Sequence, residues 1–460
     1  MLVQKPEQAS PRSLSTKNIM KLVKIFCLLS FFLPLWAMAG DLSLTNKQIE
    51  NLKNVLIHNS SISFFTVPKY EQAINLPDMS LIERNLKRLS LSEDEKNFLK
   101  MIWYRSQGMF ERSSNQISRC FDIEPDNAIK SIAMLCSLIK EGNYNLLGDY
   151  KGVSKIQSEM QFKWAKPIEK LTKVKSIKFA QSEEIEFLKQ AKPAQINPPP
   201  SDTNQIPWSN PASIDEHGPH LDATVDGTTV NFLFDSASSK NWMARSEAGS
   251  EIFAKSYNIV DVLGRRADVD HVQKLNLRVG GLSVRNPHFA TSDRSVNILG
   301  WVYFRNSKNF LISESGIRLN TIPPKNSEIS LWSSTLGGSE AYIQIPVTDG
   351  KTVSLATFDT GANVAGGTDI LIIKPTFTPD ELAKSQDISV LTYSSPKVTP
   401  SFSMYDNLKV GNLPTRHMKI TVLKGEAQQM KIFLTARILH YASIWIDGAN
   451  GRFSLIERGK

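Results

Sequence analysis

Cysteine is scarce: the 460 residues hold three, Cys27, Cys120 and Cys136, which excludes a disulfide-dense scaffold. Metal-ligand spacing is missing too. The seven histidines are scattered, and the close pair His217 and His220 has no cysteine or carboxylate beside it in a ligand pattern, so both are expected at the surface. No phosphate loop, dinucleotide fingerprint or nucleophile elbow is present, so no cofactor or metal is expected. The net charge of +9 comes without a dense Lys/Arg block or interleaved aromatics, and no nucleic-acid partner is expected. What is there is ordinary globular composition, 41% hydrophobic and 22% charged, in a chain too long for one core.

The start of the chain reads as an export signal. Met20 to Lys24 is basic, Ile25 to Trp36 is a short apolar run, and Ala37-Met38-Ala39 is an A-x-A cleavage pattern before Gly40. Met20 is a candidate true start. The apolar run is too short for a lasting membrane span, and Cys27 inside it lacks the small residues that precede a lipidated cysteine. Residues 1–39 carry Lys5, Arg12, Lys17, Lys21 and Lys24 against Glu7, so cleavage leaves a charge near +5. The expected destination is a bacterial periplasm, or secretion. Cys120 and Cys136 survive cleavage, and an oxidising compartment permits a bridge between them. Two buried thiols and an inter-helix staple remain open, because the sequence does not give the Cα separation.

Residues 40–190 read as an all-α helical domain. Thr45 to Gln48 and Ser92 to Glu95 are capping boxes before helically spaced apolar residues. A third helix is expected from Asp126 or Asn127 through Ile139, ended by Gly142. This domain either holds a protein partner or simply packs. Residues 191–218, with Pro198-Pro199-Pro200, read as a stiff, extended linker. Beyond it come short β-rich runs broken by Gly and Asn turns.

The β region repeats itself. Val225-Asp226-Gly227, an apolar strand to Phe234, and Asp235-Ser236-Ala237-Ser238 form the first unit's opening. Thr348-Asp349-Gly350, a strand to Phe358, and Asp359-Thr360-Gly361-Ala362 form the second's. Leu275 to Gly281 is matched by Leu408 to Gly411, and Asn297 to Phe304 by Ile432 to Leu439. Each unit closes on a strand, Asn309 to Ile312 and Ser443 to Ile446. Four landmarks in one order mark a duplicated unit.

These residues resemble the retropepsin-like and pepsin-like aspartic proteases. The resemblance rests on Asp-Thr-Gly-Ala at 359–362, its partner at 235–238, and Ile-Leu-Gly at 298–300. It covers roughly residues 219–458. It implies an all-β, double-lobed barrel, with lobe 1 over 219–322 and lobe 2 over 323–460, and a catalytic pair Asp235 and Asp359 in one chain. Two such carboxylates share a proton and activate a water, with a polypeptide as substrate and no homodimer required. The residue after each Asp is expected to bond across to the opposite lobe, and Ser236 and Thr360 carry the needed hydroxyls. Glycine is expected next; Gly361 fits and Ala237 does not. Thr435-Ala436 likewise stands where the first unit has Gly300. Flap candidates are the hairpins around Gly264 and Tyr393. The alternative is an inactive relative that binds a peptide or envelope component, and a third reading pairs Asp359 from two chains.

Overall fold

The computed structural model describes residues 131–172, 182–197, 205–249 and most of 254–459, with part of 97–116. Strands dominate because apolar residues recur at every second position: His220–Val225 buries Leu221, Ala223 and Val225. The first strands in chain order are β1 (Gln195–Asn197), β2 (Gln205–Pro207), β3 (His220–Val225), β4 (Thr228–Asp235), β5 (Trp242–Ala244) and β6 (Ala254–Val260). There follow β7 (Arg266–Gln273), β8 (Asn276–Val279), β9 (Leu282–Arg285), β10 (His288–Ser292) and β11 (Ile298–Gly300). All of these except β2 form a ten-stranded sheet ordered β1-β9-β8-β3-β4-β11-β5-β10-β7-β6. Next come β12 (Phe310–Ser313), β13 (Gly316–Leu319), β14 (Glu328–Ile329), β15 (Leu331–Ser334), β16 (Ala341–Thr348), β17 (Val353–Phe358) and β18 (Ile370–Lys374). The last are β19 (Gln386–Val390), β20 (Lys397–Val410), β21 (Arg416–Lys424), β22 (Lys431–Leu434), β23 (Ala442–Asp447) and β24 (Arg452–Glu457). An eight-stranded sheet runs β15-β16-β17-β22-β18-β21-β20-β19, and a six-stranded sheet runs β14-β24-β23-β12-β13-β2.

The duplication survives in the topology. β4 lies parallel to β11 and β17 parallel to β22, while β5 and β18 each pair antiparallel with that partner and parallel with a further strand. The long hairpin β20–β21 does in one piece what β7–β10 do in four. The turns differ. Asp226 and Gly227 both have positive φ, as a two-residue hairpin between Val225 and Thr228 demands, whereas Thr348 and Val353 enclose a longer turn. The closing strands of the two units, β12 and β23, pair antiparallel in the six-stranded sheet.

The expected fold class is corrected. The described residues hold more strand than helix, in three large sheets with seven helices, and among them there is no separate all-α domain ahead of a double-lobed barrel. The helices are α1 (Phe110–Gln116), α2 (Ser131–Leu147), α3 (Tyr150–Thr172), α4 (Ser182–Gln190), α5 (Ile214–His217), α6 (Arg245–Ala248) and α7 (Pro379–Lys384). The helices pack partly on one another, as Val153 does with Phe187 and Leu188, and partly on the sheets. Phe110 and Leu146 belong to the same buried cluster as Phe234, Phe358 and Ile444. All described residues fall in one compact unit. Helix α2 also runs past Gly142 to Leu147. Asn143 accepts a hydrogen bond from Arg105 and donates to Ser113 Oγ at 2.9 Å, and such tertiary contacts outweigh the glycine's low helix propensity. Within the Pro-rich stretch the described Gln195–Asn197 and Gln205–Pro207, β1 and β2, are strands of two different sheets. The export signal, both capping boxes and Cys120 lie outside the described residues. Cys136 is buried and disulfide-bonded, and its partner is outside the description. No described helix is long and apolar enough to cross a membrane.

Helices α3 and α4 cover the ten-stranded sheet through histidines. His271 and His288 stack at 4.7 Å between centroids, Phe187 stacks on His271 at 5.5 Å, and Tyr150 meets His288 at 4.4 Å. Burial, and then the charge of Lys240, lowers the His271 pKa to about 3; burial, then His271 and Lys240, pushes His288 well down. Unfolding must protonate both below pH 6.5, so stability falls with pH between 6.5 and about 3. The His271 imidazole should cost about 2 kcal/mol on going from pH 7 to 5, and His288 acts in the same direction. Urea denaturation at the two pH values should show a smaller loss in His271→Phe, which keeps the stacking on Phe187. An unchanged loss would count against the account.

Candidate active site

Two strand ends carry the acidic residues. Asp235 is the last residue of β4 and Asp359 follows β17. Each comes directly after a fully buried phenylalanine, Phe234 or Phe358, which ties the strand end into the core by about 1.5–3 kcal/mol. Asp235 lies opposite Gly300 on β11, and the Asp359 N–H donates to Leu434 O on β22 at 2.9 Å.

Four buried hydrogen bonds lock the loops together. Thr360 Oγ1 donates to Phe234 O at 2.6 Å and accepts from the Ser236 N–H at 2.9 Å. Ser236 Oγ donates to Phe358 O at 2.9 Å and accepts from the Thr360 N–H at 2.9 Å. Each hydroxyl is donor and acceptor at once, which explains why Ser and Thr stand here.

The lock sets the carboxylates face to face, both only 7% exposed, and Asp359 hydrogen-bonds Asp235. A Cβ on Gly361 would lie 2.9 Å from the Asp235 carboxylate carbon and 3.2 Å from Asp359 Oδ1, so this glycine sits where the two groups meet. Burial, and next the charge of Asp235, raises the Asp359 pKa well above its ordinary value; the Gly361 N–H pulls the other way and does not prevail. The pair therefore retains a proton above the usual carboxylate range.

Ala237 does the work expected of a glycine. Among the described residues the non-glycines with positive φ are Asp226, Asn286 and Asn320, and Ala237 is not one of them. Its N–H donates to Asp235 Oδ1 at 2.8 Å, as the Gly361 N–H does to Asp359 Oδ1 at 2.9 Å. Ser238 and Ala362 complete the loops, their N–H groups donating to Asp235 O and Asp359 O. Gly300 is required: a Cβ there would lie 2.2 Å from Ser238 O. In the second unit Thr435 instead accepts from the Arg437 N–H at 3.3 Å, opening the 3-10 turn Ala436–His440.

Sequence reasoning missed Gly218 and Asn363. Gly218 has φ +75°, and a Cβ there would meet Asn363 Nδ2 at 2.4 Å and Thr360 O at 3.0 Å. Asn363 Nδ2 donates to Thr360 O at 2.9 Å. The Gly-Pro pair at 218–219 was the available signal. His217 is exposed, and half-buried His220 bonds Asn231 at 2.7 Å. Gly264 and Tyr393 lie outside the described residues, although the strands flanking them pair at Val260 with Arg266 and at Val390 with Lys397.

No protein-family model and no curated protein matches the chain. Among solved structures it is similar to a retropepsin-like aspartic protease from Rickettsia conorii, at 15% identity and a TM-score of 0.21, over 27% of this chain and 92% of that one. That likeness is slight, and what the chain does is read from its own loops.

Proposed function

We propose that this protein is an aspartic-type endopeptidase that hydrolyses polypeptides with a water held between Asp235 and Asp359. The observation that carries the reading is the four-bond lock between Ser236 and Thr360, which brings the two carboxylates of one chain together around a shared proton. One carboxylate takes a proton from the water while the protonated partner polarises the scissile carbonyl; the water oxygen adds to the carbon, and the tetrahedral hydrate then expels the amine as it gains a proton. No covalent enzyme intermediate is needed. Because one chain supplies both groups, pairing of two Asp359 loops is not required. Ala237 delivers its N–H, so it gives no support to the inactive, ligand-binding alternative. Export to a periplasm through residues 20–39 is part of this proposal, and mature protein should begin at Gly40 on N-terminal sequencing.

The test is incubation of purified mature protein with an unfolded polypeptide across the pH range. Fragments should appear with a bell-shaped profile whose alkaline limb lies above the ordinary carboxylate range, and a statine-containing peptide, mimicking the tetrahedral hydrate, should block them. Tight binding of that peptide with no cleavage at any pH would favour the binding alternative.

A further inference from the structure

The duplicated unit places a basic residue at the same point in both halves. Five residues after Gly300 comes Arg305, and five after Thr435 comes His440, each in the 3-10 turn that follows the strand beside a catalytic loop. Arg305 is 3% exposed and grips both oxygens of Glu111 at 2.7 Å. It also donates to Gly108 O at 2.9 Å and lies over the Phe110 ring at 4.8 Å. This cation is permanent. His440 places Nδ1 2.6 Å from Glu314 Oε1 and Nε2 2.6 Å from Asp215 Oδ1. A neutral imidazole has one N–H and cannot donate to two carboxylates; the imidazolium has two.

The surroundings have the matching charge. Arg458 pairs with Glu314 and donates to His440 O at 3.4 Å. Arg437 pairs with Asp215 at 3.4 Å and with Asp369 at 3.2 Å, and Tyr441 OH donates to Asp369 at 3.0 Å. Tyr441 also sets its ring edge-on to His440, with the Arg416 guanidinium over it at 5.0 Å. Arg416 has its own partner in Glu457. Three carboxylates, Asp215, Glu314 and Asp369, thus face Arg437 and Arg458, and the imidazolium supplies the third positive charge. The cluster reaches the site directly. Asp215 is in α5, which is followed directly by Gly218, the residue packed on Thr360 O and Asn363.

We propose that His440, as imidazolium, is a positioning residue for the second catalytic loop, the titrating counterpart of Arg305, and that its loss of charge frees α5 and Gly218 from the Asp359 loop. The proposal rests on the endopeptidase reading only for the importance of Asp359. Burial works against the charged ring, but the hydrogen bonds and charges of Glu314 and Asp215 outweigh it and leave the pKa above 6.5. The stabilisation is therefore full below pH 6.5 and is lost as pH rises through the folded value. Each unit by which that value exceeds 6.5 makes local opening about tenfold easier at high pH.

Amide hydrogen exchange of peptides covering residues 208–220 and 356–370, scaled for intrinsic rates, tests this at pH 5.5 and pH 9. In the wild type, exchange in both peptides should rise at pH 9. In His440→Gln it should already be fast at pH 5.5 and show no further rise, and in His440→Arg it should stay slow at both. A Gln variant that keeps the wild-type pH response overturns the proposal, even if the Arg variant fails to fold. Neither readout uses cleavage, so failure of the endopeptidase reading would show separately.

Discussion

Asp235→Asn and Asp359→Asn should each leave a folded protein without the proposed peptide-bond cleavage. The amide keeps the shape of the carboxylate and keeps an oxygen for the Ala237 or Gly361 N–H. It cannot take a proton from water or share one with its neighbour. Loss of one general acid–base group costs about 10²–10⁴ in rate, and loss of the shared proton removes both roles together, so the drop should be at least about 10³. Stability should move the other way. The Asp359 pKa is raised by burial and by Asp235, so ionising it costs folding energy as pH climbs from the ordinary carboxylate value toward the folded one. Asp359→Asn removes that cost. Its thermal midpoint should exceed the wild type's at pH 7 and equal it near pH 3. Steady-state cleavage and a melt at both pH values check this, and a single Asn variant with full activity would sink the dyad.

What the sequence made legible is what lies close together in it. Asp226-Gly227, the strand to Phe234 and the loop at Asp235 are contiguous, as are their counterparts ending at Asp359, so pattern and turn chemistry sufficed for both units. The Ser236 and Thr360 lock followed from residue type within those loops. The rest depends on distance along the chain. Arg305 and Glu111 are 194 residues apart, and His440 and Asp215 are 225. Nothing local marks either partner. The helix through Ile139 was visible by periodicity, but that Phe110 joins the sheets' buried cluster and Phe187 stacks on His271 is a tertiary fact. Extended Pro-rich chain reads alike as linker or edge strand until a partner is placed, and β1 and β2 had partners at Leu282–Arg285 and Gly316–Leu319. Ala237 turned on a backbone angle that composition does not encode.

Gly361→Ala should disable the site, and Ala237→Gly should not, although the two positions are equivalent in the repeat. The Gly361 methyl would enter at 2.9 Å from the carboxylate carbon and Oδ2 of Asp235, closer than such contacts allow. Asp235 has little room to yield, since its Oδ1 is held by the Ala237 N–H at 2.8 Å and its neighbours by the four-bond lock. The carboxylates must part, and the methyl takes space between them. A displacement of about 1 Å costs on the order of 10² in rate, and overpacking costs about 1–3 kcal/mol in stability. The mutant should therefore lose cleavage and statine-peptide affinity far more than it loses thermal stability. At position 237 the alanine already has an unstrained backbone and a formed hydrogen bond. Glycine there adds only unfolded-state entropy, a loss of about 0.4–1 kcal/mol, with kcat/KM little changed. Unaltered activity in Gly361→Ala would mean that the carboxylates do not close around this point. A tenfold gain in Ala237→Gly would mean that the methyl holds the first loop back, and the ligand-binding alternative would then describe the natural protein better.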